Sequence, residues 1–251
     1  MQSAMSRPDI GEAHWRELRV RAKSLLGLEL TAKQIEQFST LTRLLLEWNQ
    51  RMSLTGITDP SEVAVKHYLD SLTLTRVIPR FEGLRLVDVG TGAGFPGLVI
   101  AILFPDTPVT LMDATGKKLR FIEHVGDALG LKNISTLHAR AEDAGRHKSH
   151  REAYDVVTAR AVAPMPALME YTLPLAKIGG QVIAMRGADA YEETATAAKA
   201  IETLGGELFT IEEIQLPTLD NPRYLVVIDK LEATPRRYPR QAGTPTRQPI
   251  L

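Results

Sequence analysis

The chain has 251 residues, enough for one large α/β domain or for a domain with a helical appendage; it is 44% apolar and 24% charged, ordinary for a globular protein with a sizeable core, and its 30 basic side chains balance 30 acidic ones. It has no cysteine, which excludes disulfides, thiolate metal sites and a cysteine nucleophile, and no metal site is expected. No apolar leader region opens the sequence and the longest apolar stretch, Leu98 to Phe104, is too short to cross a bilayer, so the expectation is a cytoplasmic protein without a membrane contact.

Residues 1–80 read as helical. A first helix around Trp15 to Leu28 is the least sharply bounded. Thr31 is an N-cap with Leu30 before it as a hydrophobic staple. Ile35, Phe38, Leu41, Leu45 and Trp48 then recur at three- and four-residue spacings, one apolar stripe in which Trp48 counts as core. Asp59-Pro60 opens the next helix, with Asp as cap and Pro at the first position. That helix carries Val63, Tyr68, Leu72 and Val77 and stops near Pro79.

After Glu82-Gly83 the pattern changes to short apolar strands alternating with helices. The predicted strands are Leu84–Val89, Val109–Asp113, Ile134–His138, Tyr154–Thr158, Gln181–Met185, Leu208–Gln215 and Tyr224–Asp229. Helices fit after Pro96, after Gly116, around Met165–Ala176 and around Tyr191–Leu204. Such alternation predicts βαβ units and a mostly parallel sheet. Only Leu216–Arg223 separates the last two strands, too short for a crossover helix, so they pair antiparallel. The segment from Thr234 to Leu251 contains four prolines and is expected to be extended.

The most informative segment is Val87-Asp88-Val89-Gly90-Thr91-Gly92-Ala93-Gly94-Phe95-Pro96-Gly97. A buried strand runs into a glycine turn and then a helix, where any Cβ would block the turn and the approach of a ligand to the backbone. Gly92, Gly94 and Gly97 satisfy the G-x-G-x-x-G pattern of NAD enzymes. Gly90, Gly92 and Gly94 satisfy the G-x-G-x-G loop of S-adenosylmethionine enzymes. The strand ends at Val89, so Gly90 is the first turn glycine, which favours the second alignment. Asp88, just ahead of the loop, is placed to attract an ammonium group. Asp113 ends the next strand, where a carboxylate accepts ribose hydroxyls in either class. Ala141-Glu142 follow the third strand and Arg160 ends the fourth, both on the edge where open α/β sheets bind ligands.

Charge is segregated. From Lys117 to Arg151 eight Lys/Arg face four Asp/Glu, and from Ala233 to Leu251 four Arg face none. From Gly187 to Glu232 three basic residues face ten acidic ones. A neutral chain so divided can hold a polyanion on one face, although solvated helix faces give the same pattern.

Five segments in order resemble the RsmG (GidB) family, the small-subunit ribosomal RNA guanine-N7 methyltransferases. They are WNQRMSLTGI (Trp48–Ile57), HYLDSL (His67–Leu72), the glycine loop VDVGTGAGFPG, TARAVA at the end of the fourth strand, and YPRQAGTP (Tyr238–Pro245). Ser53 stands where the family usually has Asn, and Ala159 where it more often has Ser. The resemblance runs from about residue 30 to the C-terminus. It implies a class I S-adenosylmethionine-dependent methyltransferase fold, Rossmann-like, with a seven-stranded mostly parallel sheet, a terminal antiparallel strand and an N-terminal helical subdomain (1–80, 81–232 and a tail 233–251). It implies S-adenosyl-L-methionine as cofactor, with contacts at Gly90, Phe95, Ala141, Glu142 and Arg160, and 16S rRNA of the small subunit as partner; a monomer is expected.

On that resemblance the acceptor pocket takes Arg160, His67, Asp70 and Asn49 as positioning residues, with no general base. Without it, His67 reads as a packing residue. Arg186 is a candidate for guanine O6 or a phosphate, and Lys117, Lys118, Arg120, Arg236, Arg237 and Arg240 for phosphates. An NAD(P)-binding oxidoreductase using the same loop, and a non-catalytic ribosome-assembly factor, remain as alternatives.

Overall fold

The computed structural model describes residues 10–78 and 80–251. The first nine residues and the expected helix stop at Pro79 lie outside the described residues. Helix α1 (Glu12–Leu26) turns Trp15, Leu18 and Ala22 inward and ends at Gly27, whose φ of 68° lets its own N–H cap the Lys23 carbonyl and the Leu28 N–H cap that of Ala22. Helix α2 (Ala32–Asn49) opens on the expected cap, completed as a box. The Gln34 N–H donates to Thr31 Oγ1 at 3.2 Å and the Thr31 N–H to Gln34 Oε1 at 2.9 Å.

A third helical segment over residues 60–76, here α3, starts on the expected Asp59 cap, whose Oδ1 accepts the Ser61 and Glu62 N–H groups. It is not uniform: Val63–Leu69 is π-helical and Thr73–Arg76 tightens to 3-10 geometry. The wide turn carries His67, and such turns gather at functional positions.

The strands are β1 (Leu86–Val89), β2 (Val109–Asp113), β3 (Ile134–His138), β4 (Tyr154–Arg160), β5 (Ala176–Arg186), β6 (Gly206–Ile214) and β7 (Arg223–Lys230). Their spatial order is β3-β2-β1-β4-β5-β7-β6. The first five pair in parallel, and β7 lies between β5 and β6, antiparallel to both. The antiparallel strand is thus last in sequence but not at the edge, which β6 occupies. The intervening helices are α4 (Gly97–Leu103), α5 (Gly116–Leu129), α6 (Ala141–Arg146), α7 (Met165–Thr172), α8 (Ala190–Thr196) and α9 (Ala198–Thr203). Helix α7 stops short of the predicted Ala176 because Pro174 disfavours helical geometry just before it.

Strand alternation sorts the core. Leu86 joins a cluster with Trp15, Phe38, Leu45, Tyr68 and Leu98, so α1–α3 share one core with the sheet. Val87 and Val89 face Met165, Leu168 and Met169 on the other side. Asp88, on the Leu86 face by the same alternation, is carried toward α4. Tyr68 links the two parts: its ring centroid lies 5.3 Å from Trp15, 4.8 Å from Phe38 and 5.6 Å from Phe95 of the glycine loop.

The C-terminal segment is not the extended stretch its prolines suggest: it runs through turns closed by the Tyr238 N–H on the Pro235 carbonyl and the Thr244 N–H on the Gln241 carbonyl, and Gly243, φ 80°, leads into one turn of helix, α10 (Thr244–Arg247). Pro245 does not prevent it, because a first-turn residue needs no N–H partner. Among the described residues no helix is long and apolar enough to cross a membrane.

Candidate active site

The chain order reverses direction between β1 and β4, and ligands of open α/β sheets bind beyond the strand ends at such a point. The glycine loop leaves β1 there. Gly90, Gly92 and Gly94 have φ of 68°, 60° and 91°. A Cβ on Gly92 would face open space, with Gly90 O nearest at 3.9 Å, whereas one on Gly97 would lie 2.4 Å from Leu111 Cδ2 and 2.9 Å from Asp88 Oδ2. Gly92 therefore borders open space, whereas Gly97 keeps room for the fold.

Asp88 organises the loop. Its Oδ2 accepts Thr91 Oγ1–H at 2.6 Å and the Gly97 N–H at 2.9 Å. Its Oδ1 is buried with no hydrogen-bond partner. Burial pushes the carboxyl up to about 6, against the pull of those two donors. Asp113 draws the loop to β2: its Oδ2 accepts the Gly92 N–H at 3.1 Å and its Oδ1 the Thr115 N–H at 2.8 Å. Gly90, Asp113, Ala141 and Glu142 line one cavity of about 250 Å³, with Tyr171, Gly243 and Thr246 completing its wall. These groups fit a nucleoside bearing an ammonium: open space beside the Gly92 Cα, the Asp113 carboxylate on the cavity wall, and an unpartnered buried carboxylate oxygen on Asp88.

Beside the loop a second group forms. The His67 ring stacks on Phe95 with centroids 4.4 Å apart. Arg160 Nη1 donates to the Lys66 carbonyl and to Asp70 Oδ2, both at 2.9 Å, and its guanidinium lies 5.8 Å from the Phe95 centroid. Arg223, which sequence patterning does not single out, brings its Nε to 3.5 Å from Asp70 Oδ1. His67 is held neutral, its pKa lowered to about 3 by burial and by Arg160. Its Nε2 meets Thr55 Oγ1 at 3.0 Å and its Nδ1 is buried without a partner.

Other expected site residues are committed elsewhere. The Asn49 amide is spent on its own loop: Oδ1 accepts the Leu54 and Thr55 N–H groups and Nδ2 donates to the Thr55 carbonyl. It thereby holds Thr55 against His67 and does not face the pocket itself. Asp70 is engaged by Arg160, so its charge orients that arginine. Arg186 lies 3.0 Å from Glu193 and donates to the Ala163 carbonyl. Lys118 sits 3.5 Å from Asp113, and Arg240 chelates the buried Glu170 through its backbone N–H and guanidinium. Each of these three cations thus has a carboxylate partner and is not a free charge. Lys117 and Arg120 are exposed and share a surface hollow with Arg51 and Trp48. Arg236 and Arg237 are exposed, the latter 5.0 Å from the Tyr238 ring. Among the described residues no group of three or more His, Asp or Glu side chains is arranged to hold a metal.

Tyr171, Gly243 and Thr246 are not legible in the sequence as pocket residues. The one signal for two of them is the neighbourhood of the YPRQAGTP segment, which marks the region but not its contacts.

The sheet order, the single antiparallel strand and the glycine loop at the switch point define the class I methyltransferase fold. The precorrin-6y C5,15-methyltransferase of Geobacter metallireducens has a similar fold, with a TM-score of 0.51 at 14% identity over 71% of this chain and 91% of that one. The family model described as "rRNA small subunit methyltransferase G" (GidB) matches residues 34–220, and the chain belongs to this family. It is 46% identical over 236 residues to the ribosomal RNA small subunit methyltransferase G of Lactobacillus johnsonii, covering 93% of this chain and 99% of that protein. The protein of the same name from Lactobacillus delbrueckii subsp. bulgaricus is 47% identical with the same coverage.

Proposed function

We propose that this protein is an S-adenosylmethionine-dependent methyltransferase that modifies N7 of one guanine in 16S rRNA of the small ribosomal subunit. The observation that carries the reading is the meeting of Gly90, Asp113, Ala141 and Glu142 on one cavity wall, in a chain of the GidB family. Asp88 Oδ1 would accept the ammonium of the cofactor, Asp113 the ribose hydroxyls, and the backbone at Gly92 would approach it closely. When bound, S-adenosylmethionine supplies an activated methyl group.

Guanine N7 has an in-plane lone pair and no proton, so the protein has no proton to remove before transfer. What it must do is hold the base unstacked and in line, which is worth several powers of ten in effective molarity. Phe95, His67 and Arg160 form the wall for this task. Asp70 and Arg223 fix the Arg160 fork, and Asn49 acts through Thr55 on His67. Lys117, Arg120, Arg236 and Arg237 serve as phosphate contacts.

In this division of labour residues 1–80 close the acceptor side, 81–232 hold the cofactor, and 233–251 pack between pocket and RNA face. The protein works as a monomer, without a metal, in the cytosol. The test uses small subunits from a strain lacking the methyltransferase, with labelled methyl donor. Label should enter their RNA and should not enter subunits from the parent strain, whose site is already modified. Label in neither, or equally in both, would contradict the reading.

A further inference from the structure

Two buried carboxylates outside the loop are both spent on the C-terminal segment. Glu142, 4% exposed, accepts the Gly243 N–H on Oε1 at 2.8 Å. Glu170, fully buried, takes the Arg240 backbone N–H at 2.6 Å and its guanidinium at 2.6 to 3.1 Å. Buried carboxylates are costly without such donors, so the fold holds a dedicated seat for this segment. A third tie joins the hydroxyls of Tyr171 and Thr246 at 2.6 Å. Gly243, with φ 80°, makes the turn that aims its N–H at Glu142. The seated stretch shares the cavity wall with Gly90, Met112, Asp113 and Ala141.

We infer that residues 243–246 are part of the cofactor site, closing its nucleoside end around an adenine nucleoside, and that the Glu142 side chain acts by positioning this segment. The inference rests on the cofactor reading above and assigns the tail a role beyond RNA contact. Met112, Ala114 and Ala141 offer apolar surface to a planar base, and Gly243 and Thr246 of the tail complete the wall. The ligand held here is the part common to S-adenosylmethionine and adenosine.

Calorimetric titration with S-adenosylmethionine and with adenosine tests this on the full chain, on a chain ending at Gln241, and on Glu142→Ala and Glu142→Gln. The shortened chain should lose about tenfold or more in affinity for both ligands alike, equivalent to about 1.4 kcal/mol. Glu142→Ala should follow it in part, and Glu142→Gln, which keeps an oxygen for the Gly243 N–H, should recover. In turnover, Glu142→Ala should raise KM for the cofactor by a larger factor than it lowers kcat. Parent affinity for both ligands in the shortened chain would overturn the inference, as would loss confined to S-adenosylmethionine. If the shortened chain does not fold, Glu142→Ala decides alone, and parent affinity there overturns it. Failure of the full chain to bind either ligand would refute the cofactor reading, and this inference with it.

Discussion

The imidazole of His67 lies flat on the ring of Phe95, centroids 4.4 Å apart and planes within 10°. This contact joins the π-helical turn of α3 to the cofactor loop, and it fixes what His67 can do. Burial and the neighbouring Arg160 hold its pKa near 3, so it stays neutral throughout the working range and is a weak base. The single-turnover rate, with RNA and cofactor saturating, should therefore be nearly flat between about pH 6 and 9, where a general base would give an ascending limb. His67→Asn should lower the rate through weaker stacking and leave the pH profile unchanged. A limb near pH 6.5 that vanishes in His67→Asn would show that His67 takes a proton.

Asp88, if it holds the cofactor ammonium as proposed, should give cofactor binding a pH dependence. Burial pushes its carboxyl up to about 6. Only the ionised form attracts an ammonium, so the bound state lowers this pKa. Affinity should be nearly level around pH 7, fall as pH drops through 6 by at most about tenfold per unit, and fall again above about pH 8, where the ligand's own α-ammonium loses its proton. Asp88→Asn should bind weakly with no slope between pH 5 and 7. Calorimetry across that range checks both, and a slope retained in Asp88→Asn would assign it to another group.

The features written locally in the sequence were readable from it. The Thr31 and Asp59 caps, the β2 and β3 boundaries and the glycine turn each depend on a few adjacent residues. Side-chain pairings across the fold were not. Arg240 meets Glu170 over 70 positions, and in sequence it is one of several arginines in a tail without acids. A solvated arginine, a phosphate ligand and half of a buried ion pair share that signature. Asn49 reads as a pocket residue by motif, yet its amide copies backbone hydrogen bonding within six residues. The cavity wall at Tyr171 and Thr246 arises only when α7 and the tail meet.

The two loop glycines separate binding from folding. Gly92→Val should abolish measurable S-adenosylmethionine binding, because its side chain enters open space that the ligand needs. The φ of 60° adds a strain of about 1–2 kcal/mol, which the fold should survive. Gly97→Ala should instead destabilise the fold, because its Cβ meets Leu111 and Asp88. Melting curves with and without cofactor separate the effects. Unchanged affinity in Gly92→Val would remove this loop from the cofactor site.

The tail arginines should behave as two kinds. Replacing exposed Arg236 and Arg237 by alanine should reduce the log–log salt slope of RNA binding by about 0.7–0.9 for each phosphate that is no longer neutralised. Arg240→Ala should leave the Glu170 carboxylate buried and unpaired and cost roughly 3 kcal/mol of stability in denaturant titrations. A parent salt slope in the double variant, or parent stability in Arg240→Ala, would contradict the respective assignment.

The site of methylation on the base is the most direct measure of the central claim. N7-methylguanine carries a cationic five-membered ring that borohydride reduces, after which aniline cleaves the strand. Small subunits from a strain lacking the methyltransferase, treated with this protein and S-adenosylmethionine, should show one new scission, at a single guanosine of 16S rRNA that also holds the transferred methyl. Label on an adenosine, on a ribose or on a guanine nitrogen that resists borohydride and aniline would contradict the account.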